Sequence, residues 1–339
     1  MNRVYRGKRA ARGGALSVIV ILILAAAMGA LLLQGCRSGG EVPAEEKLPP
    51  VGQEQTQTGQ TQTNAPQEEQ PVEKPQHVTT PSGIACTLQE LEEDAIRTGE
   101  LILVNNSNHY RFPAEEDLVC IYENKSDSYI VARTDTVIAP VAMEALNRML
   151  EAFREQGGSK SVNVVAGYRT EEFQQHLFDQ SAQRNGLEHA QKYVAQPGGS
   201  EHHTGYAVDF SVMKNGVSHD YDGTGEYAWI NENCHNYGYI VRYETGKEEL
   251  TGIWDEPWHF RYLGVPHATE IARLGLCMEE YMDYLKDYTF EGEHLTIRCE
   301  AGEYEVWYTQ GTEVYLPDSG EYSVSGNNVD GLIVTCRVA

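Results

Sequence analysis

Hydrophobic and polar positions divide the chain into stretches of different character. Five cations, Arg3, Arg6, Lys8, Arg9 and Arg12, crowd the first dozen residues, and the run Ala15 to Leu33 then carries no charge. Such a run reads as an export signal or an anchor just long enough to span a bilayer, with its basic flank kept in the cytoplasm. From residue 37 to about 84 the chain is Gln, Thr, Glu and Pro with almost no large apolar side chain. Too little surface can be buried there to offset the entropy of ordering, which predicts a flexible tether. Periodicity returns with Ala142, Leu146, Met149 and Phe153, spaced as one face of a helix that Gly157 and Gly158 stop. "SVNVV" then reads as a short buried strand entering a loop at Gly167. Thr170 suits the N-cap of a following helix, with Glu171 and Glu172 in its first turn. "GYIVRY" is a further strand, and "HATEIARLGLCMEEYMDYL" is amphipathic and helical. The last fifty residues change to short β-type runs, "HLTIRC", "YEVWYTQ", "EVYLP" and "GLIVTCRV", separated by Gly, Asn, Asp and Ser. Helices and strands mix without a βαβ rhythm, so the expected class is α+β. The expected division is a signal or anchor over 1–36, a tether over 37–84, a catalytic domain over 85–288 and a small β appendage over 289–339.

Charge narrows the partners. Across 339 residues the net charge is −24 and the pI about 4.8. The bulk of such a chain repels nucleic acid and anionic lipid. The apolar run ends in "LLQGC", Leu32 to Cys36, which resembles a bacterial lipoprotein processing site. There Cys36 would become the lipidated first residue, although Gln34 is an uncommon choice in that motif. An uncleaved anchor and ordinary secretion are the alternatives, and all three place the rest of the protein outside the cytoplasm. The six cysteines beyond Cys36 contain no CxxC, so a cysteine zinc knuckle is not expected. In an oxidising compartment Cys299 and Cys336, both in strand-like runs of the appendage, are expected to form a disulfide. Cys234 and Cys277 lie in apolar helical contexts and read as buried thiols.

Two fragments carry the candidate chemistry: "SEHHTGYAVDF", Ser200 to Phe210, and "EPWHF", Glu256 to Phe260. A catalytic zinc site usually takes three ligands from His, Asp and Glu and leaves one position open. His202, Asp209 and His259 can supply that set, with small Gly205 and Ala207 allowing the backbone to approach closely. Glu256 precedes His259 by three residues and can serve as a general base toward water activated by the ion. Any one of these signals is weak alone, since a single histidine is more often hydrogen-bonded or exposed than a ligand. Trp258, Phe260 and Tyr262 read as packing residues, while Tyr243 and Trp229 are candidates to line a cleft.

In combination, "SEHHTGYAVD" resembles the S-x-H-x-x-G-x-A-x-D signature of the VanY-type zinc D-alanyl-D-alanine carboxypeptidases. "EPWHFRY" resembles that family's E-x-W-H segment, and "GYRTEEFQ", Gly167 to Gln174, its G-Y-R-S-x-x-x-Q segment. "YGYIVRYETGKEELTGI" is similar in order and spacing. The likeness covers roughly residues 98 to 288, leaving out the tether and the appendage. It implies a zinc DD-peptidase-like fold, with a small antiparallel sheet flanked by helices. By motif position it makes His202, Asp209 and His259 the Zn2+ ligands and Glu256 the catalytic base. Arg169, Gln174 and Ser200 would hold the substrate, chiefly its terminal carboxylate. Thr170 stands where Ser is usual and Tyr206 where Leu is common. His203 falls at a variable position, as a neighbour of the site or as an alternative ligand to His202. The implied function is removal of the C-terminal D-alanine from peptidoglycan stem peptides. An L,D-carboxypeptidase acting on tetrapeptide stems shares these motifs. A non-catalytic cell-wall-binding lipoprotein is the alternative of another class.

Overall fold

A computed structural model describes residues 74–115 and 117–338. The anchor, Cys36 and most of the expected tether lie outside the described residues. Among those described, no helix is long and apolar enough to cross a membrane.

The architecture is α+β, as the pattern predicts. A six-stranded sheet carries the strands Ile130–Val131, Val162–Ala166, Ala207–Lys214, Glu256–Tyr262 and Tyr239–Tyr243 in that order, with Val217–Asp220 paired to Ala207–Lys214. Its pairings are antiparallel except the first. The helix Pro140–Glu155 covers one face. Its Ala142, Leu146, Met149 and Phe153, the residues at helical spacing, are all buried, in one core with Val162, Val164, Val208, Phe210 and Phe260. Pro140 fits the first turn, where its missing N–H breaks no hydrogen bond. Tyr239 Oη donates to Ala142 O at 2.7 Å and ties this helix to the sheet edge. Thr170 caps the helix Glu171–Asn185, its Oγ1 accepting from Phe173 N at 3.2 Å.

The segment read as one helix from His267 is two, Val265–Leu274 and Met278–Leu285, because Gly275 takes a left-handed conformation (φ 66°) and ends the first. Both pack through Ala268, Ile271, Met278 and Met282 against Leu295, Ile297, Val306 and Ile333. The C-terminal β region has its own four-stranded sheet, ordered Leu295–Cys299, Gly302–Gln310, Gly331–Arg337, Tyr322–Gly326. Its remaining strand, Glu313–Pro317, pairs with Ala85–Glu90, which in turn pairs with His77–Thr79. The β region is therefore completed by chain from before the six-stranded sheet, and one of its strands, His77–Thr79, falls inside the stretch expected to be tether. Val78 has an apolar cluster to pack against there, and Tyr315 Oη donates to Pro75 O.

The expected Cys299–Cys336 disulfide is not formed; the six described cysteines are free thiols. The strand Gly302–Gln310 lies between the two, so they stand two strand spacings apart, about 10 Å. They are also staggered, since Cys299 opposes Gly302 and Cys336 opposes Glu305. A disulfide needs Cα atoms within about 7 Å. Cys234 and Cys277 are buried, as expected.

His267 fastens the first of these helices to the C-terminal sheet. Its ring nitrogens meet Tyr281 Oη at 2.8 Å and Thr335 Oγ1 at 2.7 Å, and burial pushes its pKa down to about 3. Between that value and about 6.5 the unfolded chain binds a proton that the folded chain excludes, so stability falls as pH falls. From pH 7 to pH 5 this residue alone should cost about 2 kcal/mol. Urea unfolding at the two pH values checks it against His267→Gln, which should lack that part of the loss. Equal losses in both proteins would refute the linkage.

Candidate active site

The central strand Ala207–Lys214 sets the site. Asp209 lies directly opposite His259 on one neighbouring strand and opposite Ala166 on the other. His202 comes from the 3-10 turn Glu201–Thr204, which ends at Gly205 with φ 73°. A Cβ on Gly205 would also stand 2.6 Å from Leu118, so only glycine fits there. Glu256 and His259 are three apart on one strand, and a regular pleat would point them to opposite faces. The register shifts between Glu256 and Phe260. That bulge turns Glu256 back, placing its Oε2 3.9 Å from His259 Nδ1.

The structure brings the three expected ligands together. His202, Asp209 and His259 are all buried, with one donor atom from each within 4.8 Å of the others. His202 Nε2 stands 3.2 Å from Asp209 Oδ2 and His259 Nδ1 2.8 Å from Asp209 Oδ1. A tetrahedral ion with bonds of about 2 Å holds its ligands roughly 3.3 Å apart, so the set fits zinc. His202 Nδ1 meets Gly167 O at 2.7 Å, which fixes the hydrogen on Nδ1 and leaves Nε2 as the lone-pair nitrogen.

His203 is not part of the set. Its Nδ1 meets Arg169 O at 2.7 Å and its Nε2 accepts from Gly198 N at 3.1 Å, so both ring nitrogens serve the backbone. Arg169 N also donates to His202 O at 3.1 Å. The Gly167–Arg169 loop and the histidine turn are thus stitched together by three contacts. Arg169 Nη2 pairs with Asp209 Oδ2 at 2.7 Å, and Nη1 lies 3.4 Å from Gln174 Oε1. Gln174 is buried and also donates to Ala195 O. Ser200 is buried immediately before the turn.

Electrostatics at the cluster follow from its carboxylates. Burial alone would lower His259, but Asp209, Glu201 and Glu256 outweigh it and raise its pKa to about 9. Burial and Arg169 bring His202 down to about 4 despite Asp209. Burial works to raise Asp209, yet His202 and Arg169 hold it well below the usual carboxylate range. Burial pushes Glu256 up to about 8, against the pull of His259. Tyr243 is buried with its ring 5.1 Å from that of His259. It lines a cavity of about 450 Å³ beside Glu256, together with Val241, Glu232, Glu244, Asp255 and Pro257. Trp229, the other cleft candidate, packs instead against Phe153 and Tyr237.

Two residues that the sequence reading passed over matter here. Glu201 is fully buried and ion-paired to Arg242 at 2.8 Å, and its second oxygen faces His259 Nε2 at 3.6 Å. Arg261, also buried, donates to Thr204 Oγ1, Glu100 O and Ile102 O, fastening the histidine turn to the chain before the sheet. The signal was present: an arginine inside the apolar runs "YIVRY" and "HFRY" has to meet buried acceptors.

An α+β frame that buries a His-Asp-His set beside a protonatable carboxylate has the groups that metal-assisted hydrolysis uses. The family pattern described as VanY, D-alanyl-D-alanine carboxypeptidase, matches residues 135–265. A D-alanyl-D-alanine carboxypeptidase of Enterococcus faecium is 32% identical over 270 residues, covering 75% of this chain and 81% of that protein. The bifunctional D-Ala-D-Ala dipeptidase and carboxypeptidase VanXYC of Enterococcus gallinarum is 38% identical over 156 residues, 44% of this chain and 80% of that one. Among solved structures, the vancomycin resistance D,D-dipeptidase VanXYg, in complex with a D-Ala-D-Ala phosphinate analog, superposes with a TM-score of 0.67 at 31% identity. It covers 74% of this chain and 99% of its own. The chain belongs to the VanY family of D-alanyl-D-alanine carboxypeptidases.

A proton held at His259 competes with a metal ion for the same nitrogen. Between about pH 8 and pH 6, each unit of acidification should therefore weaken zinc binding by about tenfold. Chelator competition across that range checks the slope. An affinity independent of pH would show that His259 is not a ligand.

Proposed function

We propose that the protein is a zinc-dependent carboxypeptidase that removes the C-terminal D-alanine from peptidoglycan stem peptides outside the cell membrane. The observation that carries this reading is the convergence of His202, Asp209 and His259 with Glu256 at one end of the central strand. Zinc would supply Lewis acidity, polarising the scissile carbonyl and acidifying water. Glu256 would take the water's proton and return it to the leaving amine. Its burial suits this task, because a carboxyl lifted toward neutrality can both accept and donate. A dication held by the three residues beside it would draw that value back from about 8 toward the working pH.

Exo-specificity needs a group that recognises a free carboxylate. Arg169 has five N–H donors, of which Asp209 and Gln174 engage two, and it reaches the rim of the cluster while remaining partly exposed. A guanidinium with donors to spare can bind a carboxylate bidentately. Gln174 steadies it, and Ser200 borders the same turn. Lipidation at Cys36, tethering to the outer face of the cell membrane and absence of nucleic-acid partners belong to the same proposal. They rest on the N-terminal sequence and the acidic balance. Cleavage of tetrapeptide rather than pentapeptide stems is the reading next to it.

The direct test incubates pure penta- and tetrapeptide muropeptides with the protein, with and without chelator, and weighs the products. Loss of one D-alanine, abolished by chelation, is expected, and no cleavage of either substrate would sink the reading. Glu256→Gln should keep zinc bound but remove turnover, since it preserves shape and deletes the proton carrier. Near-normal kcat in a zinc-loaded variant would refute that role.

The role of Arg169 is tested by a cycle between protein and substrate. Arg169→Ala, loaded with zinc, should lower kcat/KM by at least about a hundredfold, since each tenfold is about 1.4 kcal/mol. Amidating the substrate's terminal carboxylate should cost the wild type as much. The two changes combined should cost far less than their product, because they remove the same interaction. Independent, multiplying effects would make Arg169 a partner of Asp209 only.

A further inference from the structure

Each histidine of the metal set has one ring nitrogen turned away from Asp209. For His202 this is Nδ1, and a backbone carbonyl, Gly167 O, takes it at 2.7 Å. For His259 it is Nε2, which is fully buried and has no hydrogen bond within normal distance. The group facing it is Glu201 Oε2, 3.6 Å away, itself buried and equally unpartnered. Two complementary orphans that face each other in a dry interior are a contact a few tenths of an ångström from closing.

The other half of Glu201 is firmly held. Its Oε1 accepts from Arg242 Nε at 2.8 Å. Arg242 donates its two terminal nitrogens to Glu279 at 2.9 and 2.7 Å, from the helix Met278–Leu285. All of the Arg242 side chain is buried. A structural ion pair would need only Oε1. It gives no reason to keep a second, charged oxygen in the interior, aimed at a ligand histidine.

A neutral imidazole carries one hydrogen and one lone pair. An acceptor at Nε2 fixes the hydrogen there and leaves the lone pair on Nδ1, the nitrogen that faces Asp209. We propose that Glu201 is a positioning residue for the metal centre: its Oε2 accepts the Nε2 hydrogen of His259, and so presents Nδ1 to the ion. The two histidines then bind through opposite nitrogens, one oriented by a carbonyl and the other by a carboxylate that Arg242 and Glu279 hold in place. Carboxylates behind ligand histidines raise ligand basicity as well as fixing the ring. This inference rests on the zinc reading above.

The test measures zinc affinity of the full chain by chelator competition, alongside melting with and without zinc. Glu201→Ala should bind zinc about ten- to a hundredfold more weakly than wild type. Glu201→Gln keeps an acceptor oxygen and loses the charge, so its loss should be smaller but still above about threefold. Tyr239→Phe is the control: it removes only the hydrogen bond to Ala142 O, away from the cluster, and should lower the melting temperature while leaving zinc affinity within about twofold. Zinc affinity unchanged in both Glu201 variants, or lowered equally in Tyr239→Phe, would overturn the proposal. If Glu201→Ala does not fold, Glu201→Gln decides alone against that threefold threshold. A wild-type chain that binds no zinc would instead refute the metal reading itself, an outcome distinct from wild-type binding with indifferent variants.

Discussion

The site depends on one irregularity in one strand. Antiparallel pairing places His259 opposite Asp209 without further help. It would by itself send Glu256 to the far side of the sheet, into the core that Phe260 occupies. The shift of register between Glu256 and Phe260 lets the strand serve both faces: Phe260 inward with the helix Pro140–Glu155, His259 and Glu256 together toward the cluster. A bulge costs a ladder hydrogen bond, and here it sits where the chemistry needs the strand re-aimed.

The second constraint is the seam between the loop Gly167–Arg169 and the turn Glu201–Thr204. Gly167 passes so close to the short strand Val137–Ile138 that a Cβ would stand 2.6 Å from Val137 O. Its own carbonyl is what orients His202, and the Arg169 backbone is held by His202 and His203. The adjacent histidines therefore divide the work: the first faces Asp209 and His259, and the second locks the loop that carries the arginine. Any change that loosens this seam moves His202 and Arg169 at once, and on the proposed function that would couple metal binding to substrate recognition through geometry.

Much of this was legible in the sequence, and the omissions share a cause. The helix at Pro140, the cap at Thr170 and the strands around Val162 and Tyr239 are local patterns. The donor types also stood in recognisable spacing. The bulge was not legible, because register is set by partners fifty residues away. Glu201 escaped notice because it reads as one more acid in an acidic chain; only Arg242, buried in the middle of a strand, hinted at its role. The disulfide expectation failed for the same reason, since sequence separation says nothing about the strand that lies between Cys299 and Cys336. His77 to Ile84 read as tether and Ala85 to Glu90 as the start of the catalytic domain because their apolar partners, Val314 and Leu316, come more than two hundred residues later.

Charge compensation ties the site to the rest of the fold. Three carboxylates, Glu201, Asp209 and Glu256, come within 4 Å of His259. Such crowding inside a protein is costly unless cations answer it. Arg242 answers Glu201 and Arg169 answers Asp209. Glu256 is paired with no arginine among the described residues, feeling Arg169 only at a distance, and the balance falls on His259, which the carboxylates drive toward its protonated form. A site that accumulates negative charge around one histidine is therefore under tension until a dication replaces that proton. On the proposed zinc reading, the same charge that holds a proton on His259 would favour its replacement by a dication, and Glu256 would be left as the group that carries protons. Of an acidic chain's many carboxylates, three are thus packed around one histidine beside the central strand, where a dication would balance them.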